Sequence, residues 1–117
     1  MKTGEAPRVR TAGELGVALR TPADVGELLG AAYGLDGLIL TEADLSPEFF
    51  RLSSGLAGEA FQKFTNHRLR VALVLPDFAA YGERFAELAQ EHARHSLIRF
   101  VPAEEEARTW LRASAGA

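Results

Sequence analysis

Two spacings of apolar residues alternate along this chain. Val25, Leu28, Leu29, Ala32 and Tyr33 recur at helical intervals, as do Leu56, Ala57, Ala60, Phe61 and Phe64, and then Tyr81, Phe85, Leu88, Ala89 and His92. Between these stripes stand unbroken apolar runs. Gly37 to Leu40 predicts a short strand. Leu69 to Leu75 contains Val71 to Leu75, apolar without alternation, which predicts a strand covered on both faces and central in a parallel sheet. Leu97 to Val101 is the last strand, and Arg99 within it favours an edge.

Capping residues set the boundaries. Thr21, Pro22 and Asp24 supply an N-cap, a first-turn proline and a capping-box acid, and Gly34 is placed to end that helix in a left-handed turn. Gly26 and Gly30 inside it each cost about 1 kcal/mol relative to alanine, so the helix depends on packing. Ser46-Pro47-Glu48 opens a short helical turn carrying Phe49 and Phe50, and the next helix runs from Ser53 or Ser54 to about Asn66. Pro76-Asp77 stops the central strand. Glu104, Glu105 and Glu106 start a final helix with Arg108 and Arg112 toward its end, as the helix dipole favours, and Ala107, Trp110 and Leu111 on its inner face. Near the N-terminus, Arg8 to Ala12 and Leu15 to Arg20 are extended segments around Gly13-Glu14, a β-hairpin pattern. The ends, residues 1–10 and Ser114 to Ala117, read as frayed. The fold class is α/β: a single domain over residues 1–117, core about 8–113, with a mostly parallel central sheet, helices on both faces and an N-terminal hairpin. Phe61, Phe64, Phe85 and Trp110 are the expected core aromatics.

Composition narrows the chemistry. The chain has no cysteine, which removes disulfides and thiolate metal sites. Met1 to Arg10 has no apolar stretch suited to a signal peptide, and no window approaches the roughly 18 apolar residues of a membrane span, so cytoplasm is expected and a membrane partner is not. A net charge of −3 argues against nucleic acid as a partner. The densest basic patch, Lys63, His67, Arg68 and Arg70, has no interleaved aromatic residues and reads as a solvated helix end.

Catalytic motifs fail their tests. The chain lacks a phosphate-binding Gly-x-x-x-x-Gly-Lys loop, a dinucleotide fingerprint and a nucleophile elbow; Ser54 stands before Gly55 but not between two glycines. His92 and His95 could share a helix face, yet two histidines without a third ligand make no metal site. Neither metal nor cofactor is called for. Carboxylates cluster after the expected strands: Glu42 and Asp44, then Asp77, then Glu104. They could bind a small ligand with Thr41 at the strand ends, or simply cap the helices that begin there. Separately, Gly55, Glu59, Gln62 and Asn66, spaced four, three and four apart with Lys63 beside them, form a polar line on one helix. That line is either the solvent side of an amphipathic helix or a recognition surface.

The segment Leu45 to Phe78 matches a recognisable pattern: Pro47-Glu48-Phe49-Phe50, then Gly55 through Glu59, then Gln62-Lys63-Phe64 with Asn66, and finally Asp77-Phe78. In this it resembles a bacterial domain-of-unknown-function family (DUF 4180), and the likeness extends over about residues 20–112. Ser54, Arg51 and Pro76 stand where that family has Thr, an acid and Gly, and Ala93 and His95 replace an Asn and a Gly. The family carries no established activity. A looser resemblance is to the anti-sigma-factor antagonist (STAS) fold, whose element order is similar. There an Asp-Ser-Ser-Gly-Leu motif opens the second helix and its second serine is phosphorylated. Leu52-Ser53-Ser54-Gly55-Leu56 lies at the matching point, with Leu52 in place of the Asp. The resemblance implies Ser54 as a switch for partner binding. Two functions therefore stand: a regulatory or protein-interaction module using Ser54, Gly55, Glu59, Gln62, Lys63 and Asn66, and a ligand or enzyme site at Thr41, Glu42 and Asp77. A second copy of the chain is also a candidate partner.

Overall fold

The computed structural model describes residues 8–115. Strand β1 (Val9–Thr11) runs straight into a short helix α1 (Ala12–Leu15). Thr11 and Glu14 cap that helix reciprocally: Glu14 N–H donates to Thr11 Oγ1 at 3.0 Å, and Thr11 N–H donates to Glu14 Oε1 at 2.8 Å. Gly16 then closes it with φ of 75°, a left-handed conformation that suits glycine. The expected hairpin does not form. Gly13-Glu14 lies inside a helical turn, β1 pairs parallel with the next strand, and of the second extended segment only Leu19 bridges, in parallel, to Leu45.

Helix α2 (Pro22–Ala31) begins as the capping residues predict, with Asp24 accepting from the N–H groups of Arg20 and Thr21, both at 2.9 Å. It ends ahead of Gly34, whose φ is 83°. Tyr33 departs from expectation. It falls beyond the helix, and is 92% exposed rather than part of the apolar stripe. Strand β2 (Gly37–Thr41) leads through a 3-10 turn (Glu42–Asp44) to helix α3 (Pro47–Phe50), a second 3-10 turn (Leu52–Ser54) and helix α4 (Leu56–Asn66). Strand β3 (Val71–Val74), a 3-10 turn (Phe78–Tyr81), helix α5 (Glu83–Glu91), strand β4 (Ile98–Val101) and helix α6 (Glu104–Ala115) complete the order.

The four strands among the described residues are all parallel, in spatial order β1-β2-β3-β4. Thus β3 is interior and buried at every position, and β4 with its Arg99 is an edge, as the patterns predict. Alternation along the strands divides the core. Leu38, Leu40, Val71, Leu73, Ile98 and Phe100 face α2, α4 and α5, while Val9, Ile39, Ala72 and Val74 face Ala107 and Leu111 of α6. Connections advancing in one direction across a parallel sheet with one handedness place their helices on one side. Among the described residues α6, the helix after the last strand, covers the other.

Phe61, Phe64 and Phe85 are buried, but Trp110 is only half-buried. It lies at the margin of the α6 layer, with the Arg99 guanidinium 4.8 Å from its ring centroid. Of the residues expected to fray, Arg8 is held by Asp36, whose N–H donates to the Arg8 carbonyl at 2.8 Å, Val9 and Arg10 belong to β1, and Ser114 and Ala115 belong to α6; residues 1–7 and 116–117 lie outside the described residues. No helix among the described residues is long and apolar enough to cross a membrane.

Candidate functional site

The segment between β2 and α4 is held from below by aromatic rings. Phe49 is fully buried, with ring centroids 6.0 Å from Phe61 and 6.2 Å from Phe85. Phe50 stacks on Tyr81 at 3.9 Å with the rings 7° from parallel. Pro47 starts the short helix that delivers both rings. The Pro-Glu-Phe-Phe motif therefore fastens the loop before α4 to the core and to the 3-10 turn after β3. The Tyr81 hydroxyl is buried without a hydrogen-bond partner among the described residues.

From that anchor the chain turns into α4. Ser54 Oγ donates to the carbonyl of Glu48 at 2.8 Å and accepts from Leu56 N–H at 3.3 Å, tying α3 to the first turn of α4. Gly55 precedes the helix with φ of 83°, a conformation costly to residues with a Cβ. Gly55 therefore caps α4 instead of heading its polar line, and α4 begins at Leu56 rather than at Ser53 or Ser54. Leu56, Ala57, Ala60, Phe61 and Phe64 are buried, and Glu59, Gln62, Lys63 and Asn66 all lie exposed on the opposite side. Among the described residues, none of these four side chains makes a hydrogen bond or ion pair with another.

The strand-end carboxylates have local partners. Thr41 donates to Asp44 Oδ2 from both its N–H (2.8 Å) and its hydroxyl (2.9 Å), and Asp44 is 8% exposed. Asp77 Oδ1 accepts from Ala79 N–H at 3.1 Å, capping the turn after β3. Glu104 bonds Arg108 at 3.0 Å. Glu42 is exposed. Asp77 lines an open cavity of about 570 Å³ with Phe78, Ala86, Gln90 and Phe100, whose wall includes neither Thr41 nor Glu42. The three residues of the alternative site are thus not gathered in that cavity, whose lining is mostly apolar. Among the described residues no group of three or more His, Asp or Glu side chains is placed to hold a metal ion.

Hydrogen bonds and burial shift three groups. Backbone N–H donation from Thr11 holds the Glu14 carboxyl below its usual range, and donation from Arg20 and Thr21 does the same for Asp24. Burial, then His92 and Arg99, push the His95 imidazole down. His92 packs as a helix-end imidazole, its Nδ1 2.9 Å from the carbonyl of Leu88 and its ring 5.3 Å from Phe61. In the basic patch, Lys63, His67 and Arg68 are exposed, while Arg70 is half-buried and its Nε lacks a partner among the described residues.

Sequence patterns missed the buried role of Asp44 and the place of His95 in the turn before β4. The first was detectable, since Thr41-x-x-Asp44 repeats the Thr-x-x-acid spacing recognised at Thr21. The second has no periodic signature.

No curated protein and no solved structure matches the chain. One family model does, described as Domain of unknown function (DUF4180), and it matches residues 7–111. With that match spanning most of its length, the chain belongs to the DUF4180 family.

Proposed function

We propose that this protein is a non-enzymatic interaction module that binds a protein partner through the outward face of α4 and is regulated at Ser54. The observation that carries this reading is the exposed line Glu59, Gln62, Lys63 and Asn66 on a helix whose opposite side is locked into the core. A rigid helix presenting uncommitted polar groups binds at low entropic cost, because its backbone is already ordered. The rival ligand site has weaker support: Thr41 is engaged by Asp44, Asp77 caps a turn, and the cavity beside Asp77 is lined mostly by apolar groups.

Ser54 sits where a charge change reaches both α3 and α4. Its hydroxyl donates to Glu48 and accepts from Leu56. A phosphate there removes the donor and adds about −1.5 to −2 charges next to the free amides of the α4 N-terminus. The helix is drawn to the phosphate, α3 is released, and an acidic partner surface is repelled. This is the switch that the looser resemblance to anti-sigma-factor antagonists implies.

The test is to recover complexes from native cells and compare variants. Glu59→Ala and Lys63→Ala weaken the recovered complex, and Ser54→Asp changes its affinity. Complexes indifferent to all three substitutions would remove the reading. A metabolite co-purifying with the wild-type protein and lost in Asp77→Ala would favour the ligand site instead.

A further inference from the structure

The turn between α5 and β4 is closed by an imidazole. His95 Nδ1 accepts from the backbone N–H groups of Leu97 at 3.1 Å and Ile98 at 3.0 Å, and Ile98 is buried at the first position of β4. A ring nitrogen that accepts two hydrogen bonds carries no proton, so the proton of this neutral ring belongs on Nε2.

We propose that His95 is a proton-operated latch on the α5–β4 turn: neutral, it holds the amides of Leu97 and Ile98; protonated, it releases both. Protonation makes Nδ1 a donor facing two donors, so the two bonds are lost together. The surroundings oppose the charge as well. The His92 ring lies 5.1 Å away, and Arg99 Nε donates to the His95 carbonyl at 2.8 Å. Helix α4 presents Phe61, whose ring meets His92, and α6 presents Trp110, which takes the Arg99 guanidinium on its face. Glu91 and Arg94, the nearest charges along the chain on the α5 side, are exposed. Burial, His92 and Arg99 together hold His95 below its ordinary value of 6.5.

His92 is no second latch. Its Nδ1 faces the Leu88 carbonyl, so it donates that bond in the neutral and the charged ring alike. The sign follows from the lowered folded-state value. The contribution of the latch is complete above the unfolded value near 6.5 and is lost as pH falls through the lowered one.

The test is amide hydrogen exchange at Leu97 and Ile98, followed by NMR from about pH 7.5 to about pH 5 and corrected for intrinsic exchange, with the His95 ring titrated in parallel. Protection at both amides falls roughly tenfold or more as His95 takes its proton, as the loss of two hydrogen bonds requires. In His95→Asn the amide oxygen stands in for Nδ1 without titrating, and protection stays flat; in His92→Gln the wild-type response persists. Protection that stays flat in the wild type while His95 protonates, or that falls equally in His95→Asn, overturns the latch.

Discussion

Thr11–Glu14, Thr21–Asp24 and Thr41–Asp44 share one spacing, and in each the carboxylate reaches back to the threonine's backbone N–H. At this scale the acids after the strands act as local clamps. The Thr21 pair stands out in the sequence because it opens a helix long enough to show a period; the others share its spacing but cap turns of three or four residues. Glu14 and Asp24 both titrate below their usual range, so each stabilises the fold above its unfolded value and loses that contribution as pH falls through the lower folded value. Replacing Asp24 with Asn should therefore lower thermal stability at neutral pH and leave it unchanged at the acid end, where the wild type has lost the same interaction. A melting temperature displaced equally at both pH values would contradict the clamp. Burial separates the aromatic residues in the same way. Phe64→Ala should cost about 3–5 kcal/mol in chemical denaturation, since its ring is fully buried. Trp110→Ala should cost clearly less, because its helical position points inward but α6 runs at the margin of what it covers. Equal losses would show that Trp110 is a core residue after all.

Among elements, the central run Val71 to Val74 announced its own position, since residues buried on both faces cannot alternate. The hairpin misreading came from segments too short to show their pairing partners. A three-residue strand pairs in parallel or antiparallel fashion with the same local sequence, and the deciding contacts lie far along the chain at Gly37 to Ile39. One of these contacts explains a glycine. A Cβ at Gly37 would stand 2.7 Å from Leu111 Cδ2, so α6 packs directly over the start of β2. Gly37→Ala should cost about 1–3 kcal/mol through this overlap. Leu111→Ala, costly alone, should cost less when Gly37→Ala is already present, because the added methyl occupies part of the space vacated. Additive losses in that double-mutant cycle would place α6 elsewhere. The turn from α4 into β3 carries the opposite signature: Arg68 holds φ of 53°, a left-handed conformation at a non-glycine residue. Arg68→Gly should stabilise the protein by about 1 kcal/mol, read as a raised denaturation midpoint.

For the whole molecule, the topology assigns different tasks to its two faces. Helices α1 to α5 on one face share a continuous core that includes the aromatic anchors of the α3–α4 segment, whereas α6 alone closes the other among the described residues. The amphipathic stripe of α4 made its exposed side legible in the sequence. Capping by Asp44 and Asp77 was legible as one of two readings, and both acids do cap; composition alone cannot distinguish a carboxylate that caps from one that waits for a ligand. The outward face of α4 is proposed to meet a protein partner. This is tested most directly by a photo-crosslinking residue placed at Gln62 in native cells, with Glu87 on α5 as an exposed reference position. A discrete protein adduct is expected at Gln62, absent at Glu87 and lost when Glu59→Lys and Lys63→Glu are added together. No adduct at Gln62, or equal adducts at both positions, would contradict it.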